Sequence, residues 1–173
     1  IYIAAIGPQM LQLAGKIGDG VVLSAGLSPE YCSTSIDIAA NAAKKKGRDP
    51  SELKKAAYVI FAVSNDGKSA ISTAKSKLTF LLRNKALREN IDRTGIPVDQ
   101  DKIIDAISRR AMEEAENLVS DDAVEAFTVS GTPKNCTDRL EAFYASGIEE
   151  PVLMIQGDGP ERDKAIDFLR DYR

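Results

Sequence analysis

Within its first 24 residues the chain completes a β-α-β unit, and this constrains the fold more than any other feature of the sequence. Ile1-Tyr2-Ile3-Ala4-Ala5 is a short apolar strand that runs straight into Ile6-Gly7-Pro8. Met10, Leu13, Ala14 and Ile17 follow at helical spacing and predict one buried helix face. Gly18-Asp19-Gly20 ends that helix, with Asp19 shaping the turn, and Val21-Val22-Leu23-Ser24 is a second strand of buried type. Strand, crossover helix and strand joined this tightly belong to a parallel sheet. The chain opens on its first strand without an initiator Met, so it is expected to begin inside a fold, at a strand that needs neighbours. Gly7-Pro8 stands at the carboxyl end of a strand and the amino end of a helix. Free N–H groups and the positive end of the helix dipole favour an anion there. A tight turn with no ligand is the competing reading of the same residues.

The pattern then repeats. Gly26-Leu27-Ser28-Pro29 makes a turn, with Ser28 as N-cap and Pro29 at the first helical position. The helix runs through Ile36, Ile38, Ala39 and Ala43 to Lys44-Lys45-Lys46-Gly47, whose lysines read as a solvated helix end. The run from Ala56 to Val63 is a third strand, apolar throughout, which predicts a sheet covered on both faces. Asn65-Asp66-Gly67 turns the chain into a helix from about Ser69 to Arg83. From about Asn84 to Ser130 the sequence is charged and helical, without a clear strand. There Ile104, Ile107, Ala111, Ala115 and Leu118 predict one amphipathic face, with Arg109–Glu113 and Arg110–Glu114 pairs on the outer side. Val129-Ser130-Gly131-Thr132-Pro133 introduces a further helix, capped by Thr132, that ends at Ser146-Gly147. Pro151 to Ile155 is the fourth strand, and Gly157-Asp158-Gly159-Pro160 leads into the last helix. That last turn is a second candidate for holding a phosphate.

Four strands, each followed by a helix, are half of a (β/α)8 barrel, or a small open doubly wound sheet on their own. The uneven spacing between the third and fourth strands fits a barrel with an insertion better. Histidine is absent, which removes His-based triads, most zinc sites and the commonest general base, and no metal site is expected. If the protein is an enzyme, a cofactor or a part of the protein outside this chain carries much of the chemistry. A net charge of −3 argues against a general nucleic-acid surface, and no apolar run is long enough to cross a bilayer. Cys32 and Cys136 lie far apart in helical patterns and read as free, reduced thiols of a cytoplasmic protein.

The opening from Ile1 to Met10, then Leu13-Ala14-Gly15 and Asp19-Gly20-Val21, resembles the second half of the luciferase-like flavin and deazaflavin oxidoreductases. The branch it is most similar to is the methylenetetrahydromethanopterin reductases, which use coenzyme F-420. The segment from Val129 to Pro133, with the helix and apolar strand after it, resembles the last βα unit of the same family. The resemblance implies an α/β TIM barrel of which residues 1–173 supply strands five to eight, with a helical insertion at about 84–130. It implies hydride transfer between reduced coenzyme F-420 and a C1-carrying pterin, a small-molecule substrate. An FMN-dependent monooxygenase is the alternative within the class, and a non-catalytic half-barrel or binding module the alternative outside it. It also implies that Ile6, Gly7, Pro8, Gln9 and Met10 hold the coenzyme phosphate through backbone groups, with Ser24, Ala25 and Gly26 lining the same region. The sugar-phosphate dehydrogenases of the family carry a Lys where Leu27 stands, which argues against a sugar phosphate. No catalytic residue is assigned, because the acidic residue of that branch belongs to the first half of the barrel. The partner expected is that N-terminal half or a second copy in a homo-oligomer, with neither nucleic acid nor membrane.

Overall fold

The ten-residue strand Lys54–Val63 is the centre of the sheet, and every other element is placed by its relation to it. The computed structural model describes residues 1–172. Before this central strand, β3, come β1 (Tyr2–Ala5), α1 (Pro8–Ile17), β2 (Gly20–Leu23) and α2 (Pro29–Lys45). After it come α3 (Gly67–Leu82), α4 (Arg88–Thr94), α5 (Gln100–Ser108), α6 (Met112–Asn117) and α7 (Asp121–Phe127). The chain closes with β4 (Val129–Gly131), α8 (Pro133–Ala145), β5 (Glu150–Ile155) and α9 (Gly159–Asp171). All the strand pairs are parallel. The four strands predicted from their apolar runs lie in sequential order, β1-β2-β3-β5.

The fifth strand, β4, is a correction to a reading that found no strand before the last two helices. Ala56 and Ala57 pair with β2 and also with β5, so these two strands hold opposite edges of β3. Phe61 pairs with Ile155 and with Val129, so β4 lies on the edge that β2 holds lower down. β2 stops at Leu23, opposite Ala57, and β4 takes the vacated length of edge at Phe61–Val63. Three residues with no alternation carry no strand period, so the pairing is supplied by tertiary context.

The sheet is strongly curled. Tyr2 on β1 donates its hydroxyl to both carboxylate oxygens of Glu150 on β5, each at 3.1 Å, across the concave face. The ring passes over Gly20, where a Cβ would lie 2.5 Å from it. At this end of the sheet Arg48 donates to the carbonyls of Gly15 and Gly18, both at 2.7 Å, closing the carboxyl end of α1.

Helix α1 turns Leu11, Ala14 and Gly15 inward, and Gly15 packs so closely on α2 that a Cβ would meet the Ala39 carbonyl at 2.0 Å. Of the predicted stripe only Ala14 is buried, while Met10, Leu13 and Ile17 are 43%, 39% and 65% exposed. The apolar surface of α1 is wider than one contact, and its second side faces away from α2. The long amphipathic helix expected between α3 and β4 is also broken. Arg110 adopts φ +61° between α5 and α6, and Arg109 bridges Asp105 and Glu114 in place of the expected Arg109–Glu113 and Arg110–Glu114 pairs. Ile103, Ala106 and Ala115 are the fully buried positions there. Elsewhere the caps fall where the sequence puts them: Ser28 accepts the Tyr31 N–H, and Thr132 forms a capping box with Asn135.

Candidate functional site

Parallel α/β folds gather ligands at the carboxyl ends of their strands, where loops and helix N-termini converge. Here the turn between β1 and α1 leaves the amino end of α1 uncapped by any side chain. The Gly7 carbonyl accepts the Leu11 N–H at 3.1 Å, so the N–H groups of Gln9 and Met10 have no acceptor within the helix. Gly7 has extended geometry, φ −85° and ψ 158°, which any residue can adopt. A Cβ built on it meets nothing within 4 Å, so the space before the helix is clear. That is the clearance a ligand needs to approach the backbone.

This turn opens onto a hollow of about 430 Å³ on the concave side of the sheet. Ile6, Gly7 and Met10 form one wall, Leu23 and Ser24 the next, and Tyr58 of β3 reaches in from the far side. Its walls carry no charged side chain, so the dipole of α1 is the attraction it offers to an anion. An apolar hollow with one anion-seeking end fits a planar aromatic ring carrying a phosphate-bearing tail.

The structure thus brings Ile6, Gly7, Met10 and Ser24 together around one space. Pro8 and Gln9 stand exposed in the first turn of α1. Ala25 and Gly26 are buried behind the wall, and Gly26 takes φ +82° with its open side toward Leu78 and Leu87. Leu27 is 2% exposed and faces the core. The turn from Ser24 to Ser28 is fastened by Asn90 of α4, whose Oδ1 accepts the Ser28 N–H at 2.8 Å and whose Nδ2 donates to the Gly26 carbonyl at 3.0 Å. Neither Tyr58 nor Asn90 was found by sequence reasoning. The signal for Tyr58 was a hydroxyl-bearing ring in an otherwise apolar strand. At the rival turn, α9 also lacks a side-chain cap, but Glu161 occupies its first turn and packs 2.6 Å from where a Gly157 Cβ would stand. A carboxylate at that helix end opposes an anion, which leaves α1 as the better candidate.

Residues 1–150 match the family profile of the luciferase-like monooxygenases. The 5,10-methylenetetrahydromethanopterin reductase of Methanolobus tindarius is 32% identical over 171 residues, 98% of this chain and 52% of that protein. The enzyme of the same description from Methanopyrus kandleri is 31% identical over 169 residues, 97% of this chain and 48% of the relative. Among solved structures, the coenzyme F-420-dependent tetrahydromethanopterin reductase of Methanopyrus kandleri matches with a TM-score of 0.84 at 29% identity, covering 99% of this chain and 50% of that one. The chain spans about half the length of the curated relatives it matches.

Proposed function

Because the chain belongs to the luciferase-like monooxygenase family, we propose that it is the carboxyl-terminal half of a barrel that holds coenzyme F-420 at the amino end of α1. In this reading the complete protein transfers hydride between the reduced coenzyme and a C1-carrying pterin. The observation that carries it is the uncapped start of α1 opening onto a clear, apolar hollow. The likeness to two methylenetetrahydromethanopterin reductases supports the choice of coenzyme and substrate class.

The residues of this chain bind and orient. The N–H groups of Gln9 and Met10 take the phosphate, with Pro8 fixing the first turn and Gly7 leaving room for close approach. Met10, Val22 and Tyr58 offer an apolar wall to the ring and keep water from it. When bound, the deazaflavin supplies the hydride chemistry. Leu27, turned into the core, presents no cation to a substrate phosphate, which weighs against a sugar phosphate. The other half of the barrel comes from an N-terminal segment, which also brings the acid–base groups, or its place is taken by a second copy.

The test is a titration of the full-length protein with coenzyme F-420, followed by deazaflavin absorbance, with FMN in parallel. Saturable binding of F-420 and turnover with a methylene-bearing pterin are expected. Binding of FMN alone would replace this reading with an FMN-dependent monooxygenase, the activity the family's description suggests.

A further inference from the structure

Asn90 lies on α4, far along the chain from the turn after β2, yet its side chain is fully buried against that turn. Its amide satisfies two backbone groups at once, accepting from the Ser28 N–H and donating to the Gly26 carbonyl. A primary amide is suited to this, because it carries a donor and an acceptor side by side. Without it, the two backbone groups would be buried and unpaired, and the turn would shift to find water. Leu78 and Leu87 pack beside Gly26, but apolar contacts fix position without fixing the direction of a carbonyl. The turn begins at Ser24, which shares the wall of the hollow with Gly7.

We propose that Asn90 is a positioning residue for coenzyme binding: by clasping Gly26 and Ser28 it sets Ser24 at a fixed place relative to the amino end of α1. The inference rests on the coenzyme reading above and extends it, since it makes the insertion part of what shapes the site. Asn90 does not reach the hollow and acts only through the turn.

The test measures coenzyme F-420 binding and steady-state kinetics on the full-length protein. Asn90→Ala is expected to raise the Kd and KM for F-420 about tenfold, the equivalent of one or two buried hydrogen bonds. At saturating coenzyme, kcat should change by less than about twofold, the signature of lost binding geometry rather than lost chemistry. Asn90→Asp keeps the acceptor toward Ser28 but sets a buried carboxylate oxygen against the Gly26 carbonyl, so it should raise Kd at least as far as Asn90→Ala. Arg48→Met, at the other end of the sheet, is the stability control and should lower Tm while leaving Kd alone. An Asn90→Ala protein with lowered Tm and unaltered Kd would overturn the proposal and leave the coenzyme reading standing. Failure of the unsubstituted protein to bind F-420 would overturn both. If the variants do not fold, amide exchange on the unsubstituted protein decides. Added coenzyme should slow exchange at Ser28, and an unchanged rate there would overturn the proposed link between the clasp and coenzyme binding.

Discussion

Two glycines of the first βα unit tolerate a side chain very differently. At Gly7 a Cβ meets nothing and the backbone is extended, so Gly7→Val should fold with a loss of only about 0.5 kcal/mol. The same variant should bind F-420 about tenfold or more weakly, because the new methyls fill the approach to the helix end. Melting curves and titration together check it, and wild-type affinity would count against the site. At Gly15 a Cβ would lie 2.0 Å from the Ala39 carbonyl, so Gly15→Ala should cost about 1–3 kcal/mol by forcing α1 off α2. The cysteines give a third expectation. Burial pushes the Cys32 and Cys136 thiols up to about 12, so neither should react with a thiol reagent at pH 8 until urea unfolds the chain. The turn from Gly7 to Met10 could be placed from the sequence because a strand-to-helix turn is written in adjacent residues, whereas Ser24 entered only through the family resemblance. Tyr58 and Asn90 could not: a strand apolar on both faces does not say which way one ring points, and Asn90 meets Ser28 across 62 residues.

Among the elements, the caps and long helices were legible because each is set by a few neighbouring residues. The inward face of α1 was not, since its apolar residues cover two sides and only packing on α2 selects one. The break at Arg110 was hidden by a helical period that continues through it. Arg48 shows how distant residues finish an element. Its two hydrogen bonds to Gly15 and Gly18 replace the missing partners at the end of α1, and Arg48→Met should cost about 2 kcal/mol in urea unfolding. At the start of β5, the Lys55 ammonium lies 2.6 Å from Glu149 and holds its carboxyl below the ordinary 4.5. A carboxyl depressed in the fold stabilises above that ordinary value, and the gain is lost as pH falls through the lower folded value. Because the pair is partly exposed and screened, Glu149→Gln should cost about 0.5 kcal/mol at pH 7. The difference from the unsubstituted chain should fade once acid has protonated Glu149, which paired unfolding curves at the two pH values would show.

For the whole molecule, the parallel order of the four long strands was legible, because continuous apolar runs joined by helices admit few other arrangements. The curl was not, since it emerges from how strands twist against one another, and only contacts such as Tyr2 with Glu150 record it. Among the described residues β1 pairs only with β2, and β5 only with β3, so each offers an outer edge. Met10, Leu13 and Ile17 on α1, with Tyr58 and Val152 on the concave face, add exposed apolar surface beside them. The 173-residue chain alone should therefore associate, with light scattering giving a mass above one copy. Leu13→Glu together with Ile17→Glu should reduce that mass, and a monodisperse single copy would point instead to a self-contained open sheet. The overhang of β3 beyond β2 carries a different lesson. A strand that outlasts its neighbour is a permanent berth, and Val129–Gly131 moors there whatever precedes it. The stretch between α3 and β4 is thus a cassette between two fixed posts. Lengthening its exposed turns, at Gly95 or Arg110, should leave α8, β5 and α9 in place, while Asn90 and the buried Ile103 and Ala115 must keep their positions.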